Sequence, residues 1–221
     1  MAANIKIIEF YGLPGCGKTT LRNQLIQSPL KRFGTINEVM TQYKKESLIY
    51  RITHLPLKQW WQLTLFILSL SNIRSNRKSF YVVLYYKTLA YSYCREKSIF
   101  DYVVVDHGLV QQVGSILHNM NYDLSEKSLG KLSRFLYLMK ETKTIYCQIP
   151  TELSLSRIKK RNRDSGRIDA MMYEREKALY YLEKEKSFFE RISKTTKDIN
   201  DVLDMTRAPE ELMLDIIRIG D

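Results

Sequence analysis

The chain has 221 residues, 44% hydrophobic and 27% charged, the balance of an ordinary globular protein and enough length for one domain with a substantial core. Cys16, Cys94 and Cys147 are odd in number and show no C-x-x-C spacing, which argues against a disulfide framework or zinc site and for a reducing, cytoplasmic setting. A formal net charge of +11 points either to an anionic partner (nucleotide, nucleic acid or anionic lipid) or to dispersed solvated lysines around a phosphate site.

The first element is the hydrophobic run Ile5 to Tyr11, which leaves no room for a leader peptide before it. It stops at Gly12. Gly12, Gly15, Gly17, Lys18 and Thr19 then complete G-x-x-x-x-G-K-[ST], and Leu21, Leu25 and Ile26 open a helix-spaced apolar pattern. Strand, glycine loop and helix form a phosphate cradle, because glycine lets successive N–H groups turn inward and the helix adds its positive end. On this reading Gly12, Gly15, Cys16, Gly17, Lys18, Thr19 and Thr20 surround a nucleoside triphosphate. Lys18 reaches the β- and γ-phosphates and Thr19 ligates Mg²⁺. The plain alternative is a turn that only connects strand to helix.

Ser28-Pro29 ends that helix, and Gly34 to Val39 reads as a second short strand whose end carries Glu38. From Thr41 to Lys97 the pattern is helical. Leu48, Ile49 and Ile52 form one apolar face, and Pro56 starts a helix through Trp60, Leu63, Phe66 and Leu70. The window from Trp60 to Ile73 is too short for the ~20 residues of a membrane span and is broken by Gln62, Thr64, Ser69 and Ser71, so it reads as a buried helix. A polar cluster containing Arg74 separates it from a tyrosine-rich helix through Tyr81, Tyr85 and Tyr93. Tyr102 to Asp106 is a continuous β-branched run, the pattern of a parallel strand buried on both faces. Helices follow over Gly108 to Met120 and Ser125 to Lys140. Thr144 to Ile149 is the fourth strand, Thr151 caps the next helix, a long helix spans Ile168 to Ile192, Ile199 to Met205 is a fifth strand, and Pro209 opens a terminal helix. Strands alternating with helices imply a parallel sheet covered on both faces, with ligands at the carboxyl ends of its strands. The Gly12 loop, Glu38 and Asp106 therefore share one rim.

At that rim, Asp106 holds Mg²⁺ directly or through water, or is simply a strand-ending turn residue. Glu38 is a general base or acceptor-binding carboxylate, or a solvated residue after an edge strand. Arg157, Arg161, Arg163 and Arg167 crowd into eleven residues. Such a cluster is costly without an anion, so it reads as a lid that stabilises phosphoryl transfer, against the alternative of a solvated surface.

This order of features resembles the nucleoside and nucleotide kinases with a P-loop, closest to the thymidylate kinase and deoxynucleoside kinase branch. The resemblance extends over nearly the whole chain, though only the P-loop is a specific motif. It implies a three-layer α/β/α fold with a five-stranded parallel sheet in the order 2-3-1-4-5. It also implies one domain over 1–221, an acceptor-side helical region over 41–97 and a lid over 157–168. By the same resemblance Arg161, Arg163 and Arg167 contact ATP phosphates or adenine, Glu38 meets the acceptor, and Arg74 grips it. One departure stands out: where those kinases carry Asp-Arg-Tyr or Glu-Arg-Ser, this chain has Asp106-His107-Gly108. His107 then substitutes in part for the arginine when protonated at low pH, or serves only the local turn.

The expectation is an ATP- and Mg²⁺-dependent kinase of a small acceptor, nucleoside or nucleoside monophosphate, with no membrane association. The alternatives are a P-loop kinase of a polynucleotide end or other metabolite, and a non-catalytic ATP-binding switch. Monomer and homodimer both remain open.

Overall fold

The computed structural model describes residues 7–47, 49–50, 56–70, 77–97, 100–119, 124–139, 141–161 and 174–220. Five strands form one all-parallel sheet: β1 Ile7–Tyr11, β2 Phe33–Thr35, β3 Tyr102–Val105, β4 Thr142–Gln148 and β5 Asn200–Asp204. Their spatial order is β2-β3-β1-β4-β5, as the resemblance implied. The helices are α1 Lys18–Gln27, α2 Ile36–Tyr43, α3 Leu57–Leu68, α4 Arg77–Lys97, α5 Leu109–Asn119, α6 Glu126–Tyr137, α7 Thr151–Lys160, α8 Arg175–Thr195 and α9 Pro209–Gly220.

Alternation along β1 divides the core in two. Ile8 and Phe10 face one side, where Leu21 and Leu25 of α1, Leu155 and Ile158 of α7, and Leu212 and Ile216 of α9 cover the sheet. Ile7 and Tyr11 face the other, packed with Leu63 and Phe66 of α3, Leu84 and Tyr91 of α4, Val110 and Val113 of α5, and Phe135 of α6. Each such aliphatic side chain contributes about 1.5–3 kcal/mol by leaving water. Helix α8 serves both layers, giving Ala178 and Leu182 to the first and Phe189 and Ile192 to the second. No helix among the described residues is long and apolar enough to cross a membrane, and Cys16, Cys94 and Cys147 are free and buried.

Three sequence expectations are corrected. The second strand ends at Thr35 and α2 begins at once, because Thr35 and Glu38 form a reciprocal capping box. The Thr35-x-x-Glu38 signature outweighs the strand propensity of Ile36 and Val39. Thr151 is the first residue of α7 rather than its cap, and its hydroxyl donates to Glu183 on α8. Ile49 is 75% exposed and joins no buried face; Leu48 and Ile52, called with it, lie outside the described residues, as do the first residues of the long helix expected from Ile168.

Candidate active site

The loop between β1 and α1 carries positive φ at Gly12 (146°), Gly15 (81°) and Gly17 (106°). At Gly12 the sequence constraint is double. A Cβ there would sit 2.5 Å from the Cys147 carbonyl oxygen, and the backbone conformation is one that side chains rarely adopt. The Gly12 N–H donates to Oε1 of buried Gln111 on α5 at 2.9 Å. Lys18 folds back into the loop, its ammonium donating to Gly12 O at 2.7 Å, Leu13 O at 2.9 Å and Cys16 Sγ at 3.3 Å. Burial opposes ionisation of the Cys16 thiol, but the Cys147 thiol and the Lys18 ammonium together lower its pKa. Thr19 and Thr20 face solvent at the start of α1.

Asp106 closes the site from the neighbouring strand. The Thr19 hydroxyl donates to Asp106 Oδ2 at 2.9 Å, and Nη1 of Arg22, one turn further along α1, lies 3.0 Å from both carboxylate oxygens. The remaining nitrogens of Arg22 donate to Asn23. Arg22 was missed in the sequence because its partner lies 84 residues away; only its position four after Lys18, on the same helix face, hinted at it.

Across the loop, a cleft of about 310 Å³ is lined by Cys16, Thr20, Gln24, Arg157, Arg161 and Arg207, among others. Arg157 on α7 and Arg161 just past its end are thus brought together at one cleft, as their spacing predicts. Arg157 spans the cleft floor, donating from Nη1 to Cys16 O and from Nη2 to Met205 O, each at 3.2 Å. Arg207, unnoticed in the sequence, is held at the rim by Glu211 and Asp215. Arg163, Arg167 and Arg74 lie outside the described residues.

The other side of Asp106 is organised by Glu9, also missed in the sequence. It is fully buried on the face of β1 that meets α4 and α5. Glu9 Oε1 accepts the Val110 N–H at 2.6 Å and Oε2 accepts the Tyr91 hydroxyl at 2.8 Å. Burial raises its pKa despite these donors. Gly108 is required here because a Cβ would lie 2.1 Å from Glu9 Cδ. Glu9 therefore pins the turn Asp106-His107-Gly108 to the start of α5.

The structure gives Glu38 and His107 the following surroundings. Glu38 is exposed, and its Oε2 accepts from the Thr35 N–H at 2.6 Å and the Thr35 hydroxyl at 2.8 Å. In this arrangement its carboxylate serves the start of α2. For His107, partial burial lowers the pKa against the pull of Asp106, and Lys18, Lys87 and Arg22 push the same way as burial. A role for the protonated ring is thereby displaced toward lower pH.

What the arrangement can do chemically follows from its charges. Backbone N–H groups, Lys18, Arg22 and the arginines of α7 offer positive charge around one concave loop, and a single carboxylate, Asp106, sits beside a hydroxyl. The pair Thr19–Asp106 presents hard oxygens of the kind Mg²⁺ accepts while keeping waters and phosphate oxygens in its shell. No cluster of three or more His, Cys, Asp or Glu side chains able to hold a metal occurs among the described residues.

No protein-family model and no curated protein matches the sequence. Solved structures do match its shape. A deoxyadenosine kinase from M. mycoides with bound dCTP is 14% identical, covering 96% of this chain and 99% of that chain at a TM-score of 0.51. The deoxyadenosine kinase from M. mycoides with bound dATP is 15% identical, with 96% and 98% covered and a TM-score of 0.50. Over nearly its whole length, this chain has the fold of those deoxyadenosine kinases.

Proposed function

We propose that the protein is a P-loop kinase that transfers the γ-phosphoryl group of ATP, with Mg²⁺, to a small acceptor, a nucleoside or nucleoside monophosphate. The observation that carries this reading is the 2.9 Å contact between Thr19 and Asp106 beside Lys18. It joins the hydroxyl of a complete P-loop to a strand-ending carboxylate, the pair from which such sites hold a metal–nucleotide complex. The proteins similar in fold, deoxyadenosine kinases with bound nucleotides, support the same class of acceptor.

In this reading the loop N–H groups and Lys18 bind the β- and γ-phosphates. Lys18 leaves the Gly12 and Leu13 carbonyls to do so, exchanging neutral acceptors for anionic ones. Thr19 and Asp106 would hold Mg²⁺, which shields the phosphate charge, and Arg22 must yield part of the Asp106 carboxylate when it binds. The arginines of α7 flank the cleft in which the adenine and α-phosphate lie. Arg163 and Arg167 would complete the lid and Arg74 the acceptor grip. Glu38 takes the acceptor proton only if Thr35 releases it.

The test is transfer of label from [γ-³²P]ATP with Mg²⁺ to a panel of nucleosides, nucleoside monophosphates, sugars and a 5′-hydroxyl oligonucleotide. Labelled nucleoside or nucleotide product supports the proposal. Label on the oligonucleotide alone would assign a different acceptor class, and ATP turnover with no labelled acceptor at all would remove the kinase reading.

A further inference from the structure

A basic side chain from the acceptor-side helices approaches the turn Asp106-His107-Gly108. Lys87 on α4 donates its ammonium to the His107 carbonyl oxygen. Glu9 and Asp106 act on it through charge alone, without a hydrogen bond. The ammonium is half-buried, and loss of water lowers its pKa. A cation in this position is incompletely satisfied, since a backbone carbonyl supplies only partial negative charge.

Its placement is not left to a flexible surface. Lys87 and Tyr91 lie four apart on one face of α4, and Tyr91 is tied to Glu9 in the middle of β1 at 2.8 Å. Thr88 back-bonds to Leu84 O at 2.9 Å, and Leu84, Ala90 and Tyr91 are buried. The stem of Lys87 therefore leaves a helix fixed to the same strand that ends in the P-loop. His107 feels the positive charge of Lys18 and of Lys87. Lys18 is bonded to the carbonyls of Gly12 and Leu13 in the loop, and Lys87 reaches the Asp106 turn from α4.

We propose that Lys87 is a second phosphate-binding residue of this site, which exchanges the His107 carbonyl for oxygens of the γ-phosphoryl group and stays with that group during transfer. The inference rests on the kinase reading above. A phosphoryl oxygen bears the formal charge that the carbonyl lacks, and the exchange is favoured in a site from which water is partly excluded. Lys18 from the loop and Lys87 from α4 then both hold the group, so charge developing on its equatorial oxygens meets two cations.

The experiment measures binding of ADP and of the β,γ-imido analogue of ATP, each with Mg²⁺, by titration calorimetry. Wild type, Lys87→Gln and Lys87→Arg are compared, with circular dichroism to verify folding. In Lys87→Gln the ratio of imido-analogue to ADP affinity should fall at least tenfold with ADP affinity within twofold of wild type. Lys87→Arg should recover part of the ratio, and kcat with a competent acceptor should fall on the order of a hundredfold in Lys87→Gln with a smaller change in the KM for ATP. A ratio within twofold of wild type overturns the role of Lys87 and leaves the kinase reading in place. Failure of the wild type to bind either nucleotide overturns both.

Discussion

The two sides of the Asp106 turn hold charge in different ways. On the nucleotide side, the groups come from one contiguous stretch: Lys18 bonds to Gly12 and Leu13, and Thr19 sits one residue on. On the acceptor side, Glu9, Tyr91 and Val110 come from β1, α4 and α5 and meet across sequence separations of 82 and 101 residues. The first arrangement is written into local backbone geometry and survives in any context that supplies a strand before it and a helix after it. The second exists only while α4 and α5 are packed against the sheet. Under the proposed function, a chain built this way alters its acceptor side by repacking helices while the glycine loop keeps its form.

The sharpest way to break the nucleotide side alone is Lys18→Ala. Loss of its phosphate contact should lower kcat about a thousandfold, equivalent to about 4 kcal/mol in the barrier, with the urea midpoint little changed. Steady-state phosphoryl transfer checks the first outcome and equilibrium unfolding the second.

Breaking the acceptor side should have the reverse signature. Gly108→Ala drives a methyl group into Glu9, which Tyr91 and Val110 hold in place, and should destabilise the fold by about 2 kcal/mol. Urea unfolding measures this, and ADP binding by the folded fraction should persist.

Glu9 also gives the acceptor side a pH dependence. Its pKa is raised by burial from an ordinary value of 4.5, so the folded state prefers the protonated form. The stability it contributes is complete below the ordinary carboxylate pKa and is lost as pH rises through the higher folded value. Relative to Glu9→Gln, the wild type should therefore lose stability as pH rises above about 4.5. Parallel urea midpoints for the two proteins from pH 4 to 8 test the sign.

The smallest effect concerns the cleft rim. Arg207 is paired with Glu211 and Asp215 on an exposed surface, where ion pairs add little to stability. Arg207→Ala should raise the KM for ATP severalfold and leave the thermal midpoint essentially unchanged.

Much of the nucleotide side was legible before the fold was known. The spacing of Gly12, Gly15, Gly17, Lys18 and Thr19 demands a particular loop, and the β-branched run from Tyr102 to Val105 announces a buried strand ending in Asp106. The spacing of Arg157 and Arg161 brought both to one cleft. The extent of the second strand was misread because a short strand and a capped helix share the residues around Glu38, and the capping box decides between them through two reciprocal bonds with Thr35. Glu9 stood inside an apolar run, where a single acid carries no partner in its own vicinity to reveal its task.

The amino-acid sequence by itself determined the glycine loop, the alternation of strands and helices, and hence a parallel sheet with that loop at one rim. These follow from local rules: glycine's access to positive φ, hydrophobic period, and caps. Only the tertiary structure decided that Arg22 pairs with Asp106, that Gln111 holds the Gly12 N–H, and that Glu9 and Lys87 converge on the turn after β3. Those contacts join residues far apart in the chain, and nothing in local propensity specifies which distant side chain will meet a given buried charge. Packing of α4 and α5 against β1 does.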